Sequence, residues 1–139
     1  MTTQKKTMWL VCLAFLTITQ QMFAQIPRPE YPRPQFERSE WVNLNGTWSY
    51  SFDMGRSGMN RDFHKSEGFD SKIIIPFCPE SSLSGVKYTD FINSIWYQRK
   101  ITVPAAWTGK KVLLHFGAVD YEATVYINGT KIAVHHGAG

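Results

Sequence analysis

The chain has 139 residues and a formal net charge of +4, from 15 Lys and Arg against 11 Asp and Glu. That length accommodates one ordinary domain and excludes two or more complete ones. A hydrophobic share of 43% and an aromatic share of 14% exclude a disordered chain, which lacks aromatics. After Lys5-Lys6 the only adjacent basic pairs are Arg99-Lys100 and Lys110-Lys111, so the clustered basic stripe of a nucleic-acid-binding protein is absent from the sequence.

The first element is a leader. Lys5 and Lys6 precede the apolar run Thr7 to Thr19, which is shorter than the ~20 residues needed to cross a bilayer. A basic start, a short apolar centre and Met22-Phe23-Ala24 predict a secretory signal over residues 1–24, cleaved after Ala24, in preference to a short membrane anchor. The protein is therefore expected to be exported, periplasmic or secreted, with no membrane association once the signal is removed. Its loss takes away two lysines and Cys12, leaving Cys78 alone and unable to form an intrachain disulfide. Between Phe77 and Pro79, Cys78 is expected to be a buried small apolar residue.

Residues 25–35 carry four prolines and read as an extended lead-in lying along the domain that follows. Thr47 to Phe52 alternates small polar residues with Trp48, Tyr50 and Phe52, which predicts a strand with the aromatics facing inward. Met54 to Ser71 reads as a long loop. Lys72–Phe77, Ile95–Val103 and Lys111–Phe116 are apolar-rich runs of strand character, the first two bounded by Pro76 and Pro104. A short helical turn is expected at Ala105-Ala106-Trp107. Ala123–Ile127 and Lys131–Val134 flank Asn128-Gly129, the strongest short signal for a hairpin, because both turn residues take positive φ. About six short strands without a helical repeat predict an antiparallel all-β sandwich.

The residues that could carry chemistry are sparse. Glycoside cleavage by the usual route needs two carboxylates about 5 to 10 Å apart. Asp120 and Glu122 share a face at a strand start, but an exposed strand end explains them as well. His115 sits in an alternating apolar run and reads as a core or edge histidine. His135 and His136 are adjacent in a strand, point to opposite faces and cannot readily share a metal ion. The triplets Asn45-Gly46-Thr47 and Asn128-Gly129-Thr130 match the N-glycosylation pattern, yet turn chemistry alone accounts for both. No metal site, cofactor or catalytic constellation is predicted from these residues.

Five motifs occur in order: Trp41-Val-Asn-Leu-Asn-Gly-Thr-Trp48, Ile75-Pro-Phe-Cys-Pro-Glu-Ser-Ser-Leu-Ser-Gly85, Trp96-Tyr-Gln-Arg99, the run Val103 to Gly129, and His135-His-Gly137. Together they resemble the N-terminal sugar-binding domain of glycoside hydrolase family 2, which includes β-galactosidases, β-glucuronidases and β-mannosidases. The resemblance covers residues 36–139. It implies a jelly-roll sandwich similar to galactose-binding domains, followed in the parent enzyme by an immunoglobulin-like domain and a (β/α)₈ barrel that supplies the catalytic glutamates. No catalytic residue is then expected within this chain. A carbohydrate substrate is implied for the parent, with β-linked galactose or a similar sugar as the expectation, and an intramolecular contact with downstream domains. The family usually continues His-x-Gly-Gly-aromatic-x-Pro where this sequence has His136-Gly137-Ala138-Gly139, so the chain is read as a fragment with an incomplete sandwich. Because some members place loops of this domain at the active-site rim, the resemblance makes Asp90 and Asn93, in the loop Gly85–Ser94, the candidates for contact with substrate. The alternative is a stand-alone carbohydrate-binding or adhesive module without catalysis.

Overall fold

The structure, a computed structural model, describes residues 26–31 and 33–137. The expected signal over 1–24 lies outside the described residues. Among the described residues five strands form, β1 Gly46–Phe52, β2 Ser71–Ile75, β3 Ile95–Gln98, β4 Glu122–Ile127 and β5 Thr130–His136. Among the described residues there is no α-helix, only short 3₁₀ turns, one of them at Ala105–Trp107 behind Pro104 as the sequence predicts.

β1 is central in a three-stranded antiparallel sheet ordered β2-β1-β3. Its register sets Trp48 opposite Ile73, Tyr50 opposite Tyr97 and Phe52 opposite Ile95, so these side chains share one face. Ile73 is fully buried there. Tyr50 meets Phe52 edge to face at 5.1 Å, and Phe52 packs on Tyr88 at 4.6 Å. The aromatic face expected to be inward is half-buried, while Ser49 on the opposite face is buried. The cause is the segment after β1, which folds back over the serine face. Phe63 packs edge to face on Trp96 at 5.9 Å, and Ser49 donates its hydroxyl to the Gln98 carbonyl at 3.1 Å. Both faces of β1 are thus covered.

β4 and β5 form the predicted hairpin. Asn128 and Gly129 take φ of +49° and +78°, the turn signature that makes the Asn-Gly pair informative. Val125 pairs with Ala133 and Tyr126 with Lys131, so β5 accommodates one extra residue, Ile132, as a bulge. The hairpin meets the first sheet through Tyr126, whose ring lies 5.7 Å from Trp96 and 5.5 Å from His64 and whose hydroxyl donates to the Met59 sulfur at 3.1 Å. Two antiparallel sheets without helices between them are the all-β, sandwich-type architecture that the strand pattern predicts.

Four expectations change. β3 ends at Gln98 and does not reach Val103. Lys111–Phe116 is not a strand, and every residue in it is exposed, Leu113 by 60%. A strand needs a neighbour to satisfy its amides and carbonyls, and among the described residues none runs beside 111–116. His115, expected at a core or edge position, is exposed for the same reason. Cys78 is also exposed, because it opens a turn in which the Ser81 amide bonds to its carbonyl while Pro79 takes the buried position.

Candidate functional site

The motif residues are occupied by backbone work. Asn43 accepts from the Asn45 amide at 2.8 Å through its side-chain oxygen, an Asx turn that bends the chain into β1. Asn45 donates its carboxamide to the Pro27 and Arg28 carbonyls at 3.1 and 3.2 Å, which fastens the lead-in. Tyr31 adds an edge contact to Trp41 at 4.7 Å. The Leu44 carbonyl accepts from the Trp48 indole at 2.7 Å and from Arg99 Nη1 at 2.7 Å, and the same guanidinium nitrogen reaches the Asn45 carbonyl at 3.0 Å. The first and third motifs therefore meet at one knot of backbone carbonyls. The second motif does similar work: Ser81 accepts from the Leu83 amide, and Ser84, buried, donates to the Ser81 carbonyl at 2.7 Å and accepts from the Val86 amide at 3.1 Å.

Asp53, at the end of β1, is the one carboxylate drawn deep into the fold among the described residues, with 2% exposure. Its Oδ1 accepts from the Ser57 amide at 2.9 Å and from Arg61 Nη2 at 3.2 Å. Its Oδ2 accepts from the Gly58 amide at 2.7 Å and from the Trp96 indole at 3.1 Å. Burial alone would raise its pKa, but the four donors together outweigh burial and hold it below the usual carboxylate range. Gly58 fits here because a Cβ would lie 2.3 Å from Trp96 Nε1 and 2.7 Å from Asp53 Oδ2. Asp53 is not among the residues that the sequence singles out. The available signal is its place directly after the last aromatic of β1 and before the turn Met54-Gly55.

The loop Gly85–Ser94 is anchored at both ends. The Tyr88 amide donates to the Pro79 carbonyl at 3.0 Å, and Tyr88 covers Phe52. At the other end Asn93 Nδ2 donates to the Met54 carbonyl at 2.6 Å, and the Asp53 amide donates to the Ser94 carbonyl at 2.8 Å. Asn93 is therefore tied to the turn that Asp53 organises, whereas Asp90 projects from the exposed tip beside Phe91, which is 82% exposed. The two residues singled out in the sequence lie on one loop with different surroundings: Asn93 at the base and Asp90 at the tip. The arrangement presents one carboxylate and one aromatic ring on a braced loop. It can accept hydrogen bonds and offer a flat apolar surface, but it holds no pair of carboxylates poised across a bond.

The other weighed residues are scattered. Asp120, Glu122, His115, His135 and His136 are all exposed. His135 pairs with Ala123 and His136 with Glu122, on successive rungs of the hairpin and so on opposite faces. Among the described residues no group of three His, Cys, Asp or Glu side chains could hold a metal ion. At Tyr97, burial and then the Glu80 charge push the phenol up to about 12.

No protein-family model matches the sequence. Against curated proteins it is 33% identical over 119 residues to a β-glucuronidase of Felis catus, covering 77% of this chain and 18% of that protein. It is 30% identical over 117 residues to the Canis lupus familiaris β-glucuronidase and 26% over 108 residues to that of Paenibacillus borealis, with the same coverage. Among solved structures, a β-glucuronidase of an uncultured Clostridium species superposes with a TM-score of 0.59 at 27% identity, over 70% of this chain and 17% of that one. The chain spans less than a fifth of the length of the curated relatives it matches. Through that span it is similar to the β-glucuronidases, in agreement with the resemblance to the N-terminal domain of glycoside hydrolase family 2 that its motifs carry.

Proposed function

We propose that this chain is the N-terminal, non-catalytic sandwich of an exported family 2 glycoside hydrolase, and that it braces the catalytic barrel and contributes the loop Gly85–Ser94 to the rim of the substrate pocket. The observation that carries this reading is the similarity to β-glucuronidases over 77% of the chain and only 18% of the relative, together with the consumption of Asp53, the one buried carboxylate among the described residues, by four structural donors. The relatives' names favour a β-linked glucuronide over the galactoside expected from the sequence. Asp90 is the rim candidate and Asn93 its support. The jelly-roll arrangement belongs to the same reading, as do the boundaries at 24 and 35.

The exposed apolar side chains Val112, Leu113, Leu114 and Phe116, with Ile132 and Val134 on β5, are the surface this reading assigns to the contact with the remainder of the enzyme. The test is to assay the full-length gene product on nitrophenyl β-glucuronide and β-galactoside, beside residues 25–139 alone. The expected result is glucuronide hydrolysis by the full-length product and none by the short piece. A reading frame that stops after codon 139, with a product that binds sugars and hydrolyses none, would establish the stand-alone module instead.

A further inference from the structure

The sequence contains Asn-Gly twice, at Asn45-Gly46 and Asn128-Gly129, and the fold treats the two differently. Asn45 is half-buried, and its carboxamide is held by the carbonyls of Pro27 and Arg28. Its own amide is bound to Asn43 Oδ1 and its carbonyl to Arg99, while Gly46 is the first residue of β1, paired with Ile75. Asn128 is exposed at the tip of the β4–β5 hairpin, and its neighbour Gly129 has no side chain to shield the intervening amide.

We infer that Asn128 is a site of spontaneous covalent modification, deamidation with isoaspartate formation, and that Asn45 is protected from the same chemistry by the fold. The Gly129 amide nitrogen attacks Cγ of Asn128. A bond from that nitrogen to Cγ closes a five-membered imide, the bond between Cγ and Nδ2 breaks, and ammonia leaves carrying the proton lost by the Gly129 nitrogen. Water then opens the imide at either carbonyl, giving aspartate or isoaspartate. No oxidant or reductant is involved.

The position gives the reaction a structural consequence. Isoaspartate inserts a methylene into the backbone of a two-residue turn whose register pairs Ile127 with Thr130. The turn rests on the long loop after β1, since a Cβ on Gly129 would lie 3.4 Å from Lys65 Cγ and 3.6 Å from the His64 carbonyl. Tyr126, which joins the hairpin to Trp96 and Met59, is two residues before Asn128. Modification at the tip therefore loosens the seam between the two sheets.

The experiment is peptide mapping by mass spectrometry of the full-length gene product aged at mildly alkaline pH, native and in denaturant, with isoaspartate scored by enzymatic methyl transfer. The expected result in the native sample is conversion at Asn128 and none at Asn45, with both sites converting in denaturant; Asn128→Gln removes the native signal. Equal conversion of the two sites in the native protein, no conversion at Asn128, or a resistant Asn45 in denaturant would each overturn the inference.

Discussion

β1 and the segment Lys111–Phe116 are both short runs of strand character in the sequence, yet only β1 is a strand. β1 has β2 and β3 on its two edges, aromatic packing on one face and the folded-back loop on the other. Lys111–Phe116 has no paired neighbour among the described residues and lies open. The difference shows that strand propensity is realised through partners rather than through the segment's own composition. It also divides the molecule functionally. Residues 41–100 hold themselves together through Asp53, Arg99 and the Leu44 carbonyl, whereas residues 101–137 show a large share of their apolar side chains to solvent.

The largest effect should come from the centre of the self-contained region. Replacing Asp53 with alanine leaves the Ser57 and Gly58 amides and the Trp96 indole without their acceptor, and is expected to cost about 3 kcal/mol or more of stability, measured by denaturant unfolding of the full-length product. The carboxylate's lowered pKa adds a pH dependence of fixed sign. Its charged form is favoured in the folded state, so its contribution is complete above the unfolded value of about 3.9 and is lost as pH falls below that through the folded value. An acid titration of stability should show this slope in the wild type and lose it in Asp53→Ala. Gly58→Ala forces a methyl group against Trp96 Nε1 and should cost about 1–3 kcal/mol, with a changed near-ultraviolet signal from that indole.

Smaller effects sharpen the same division. Asn93→Ala removes the bond to the Met54 carbonyl and should cost about 1 kcal/mol, whereas Asp90→Ala at the tip should leave the melting temperature unchanged and raise KM for substrate. If Asp90→Ala and Asn93→Ala both retain normal kinetics, the loop has no place at the pocket rim. The smallest effect is expected at Lys110, whose Nζ reaches Glu40 Oε1 and Oε2 at 2.8 and 2.7 Å between exposed side chains. Lys110→Ala should change stability by no more than about 0.5 kcal/mol.

The strands that have partners within the described residues are legible in the sequence: the alternation of Trp48, Tyr50 and Phe52, the β-branched run ending at Pro76, and the Asn128-Gly129 turn each carry a local physical signal. What is not legible depends on long-range pairing. Nothing local to Lys111–Phe116 reveals whether a neighbour lies beside it, and nothing local to Ser49 reveals that a loop returns to bury it. Cys78 departs from expectation because its exposure follows from the turn it opens, not from its apolar neighbours. Of the candidate site, Asp90 and Asn93 come through resemblance alone, and their separation into tip and base needs the Met54 carbonyl. Asp53 escapes sequence reading because its four donors come from Ser57, Gly58, Arg61 and Trp96, the last of them 43 residues away.

If the buried acid of this domain serves the fold and the reacting carboxylates lie outside it, stability and turnover must separate at Asp53. The most direct measurement is turnover per folded molecule, alongside melting temperature, for Asp53→Asn in the full-length gene product. The expected result is a lowered melting temperature with unchanged kcat in the molecules that remain folded. Loss of turnover at an unchanged melting temperature would contradict it, because Asp53 would then act on substrate.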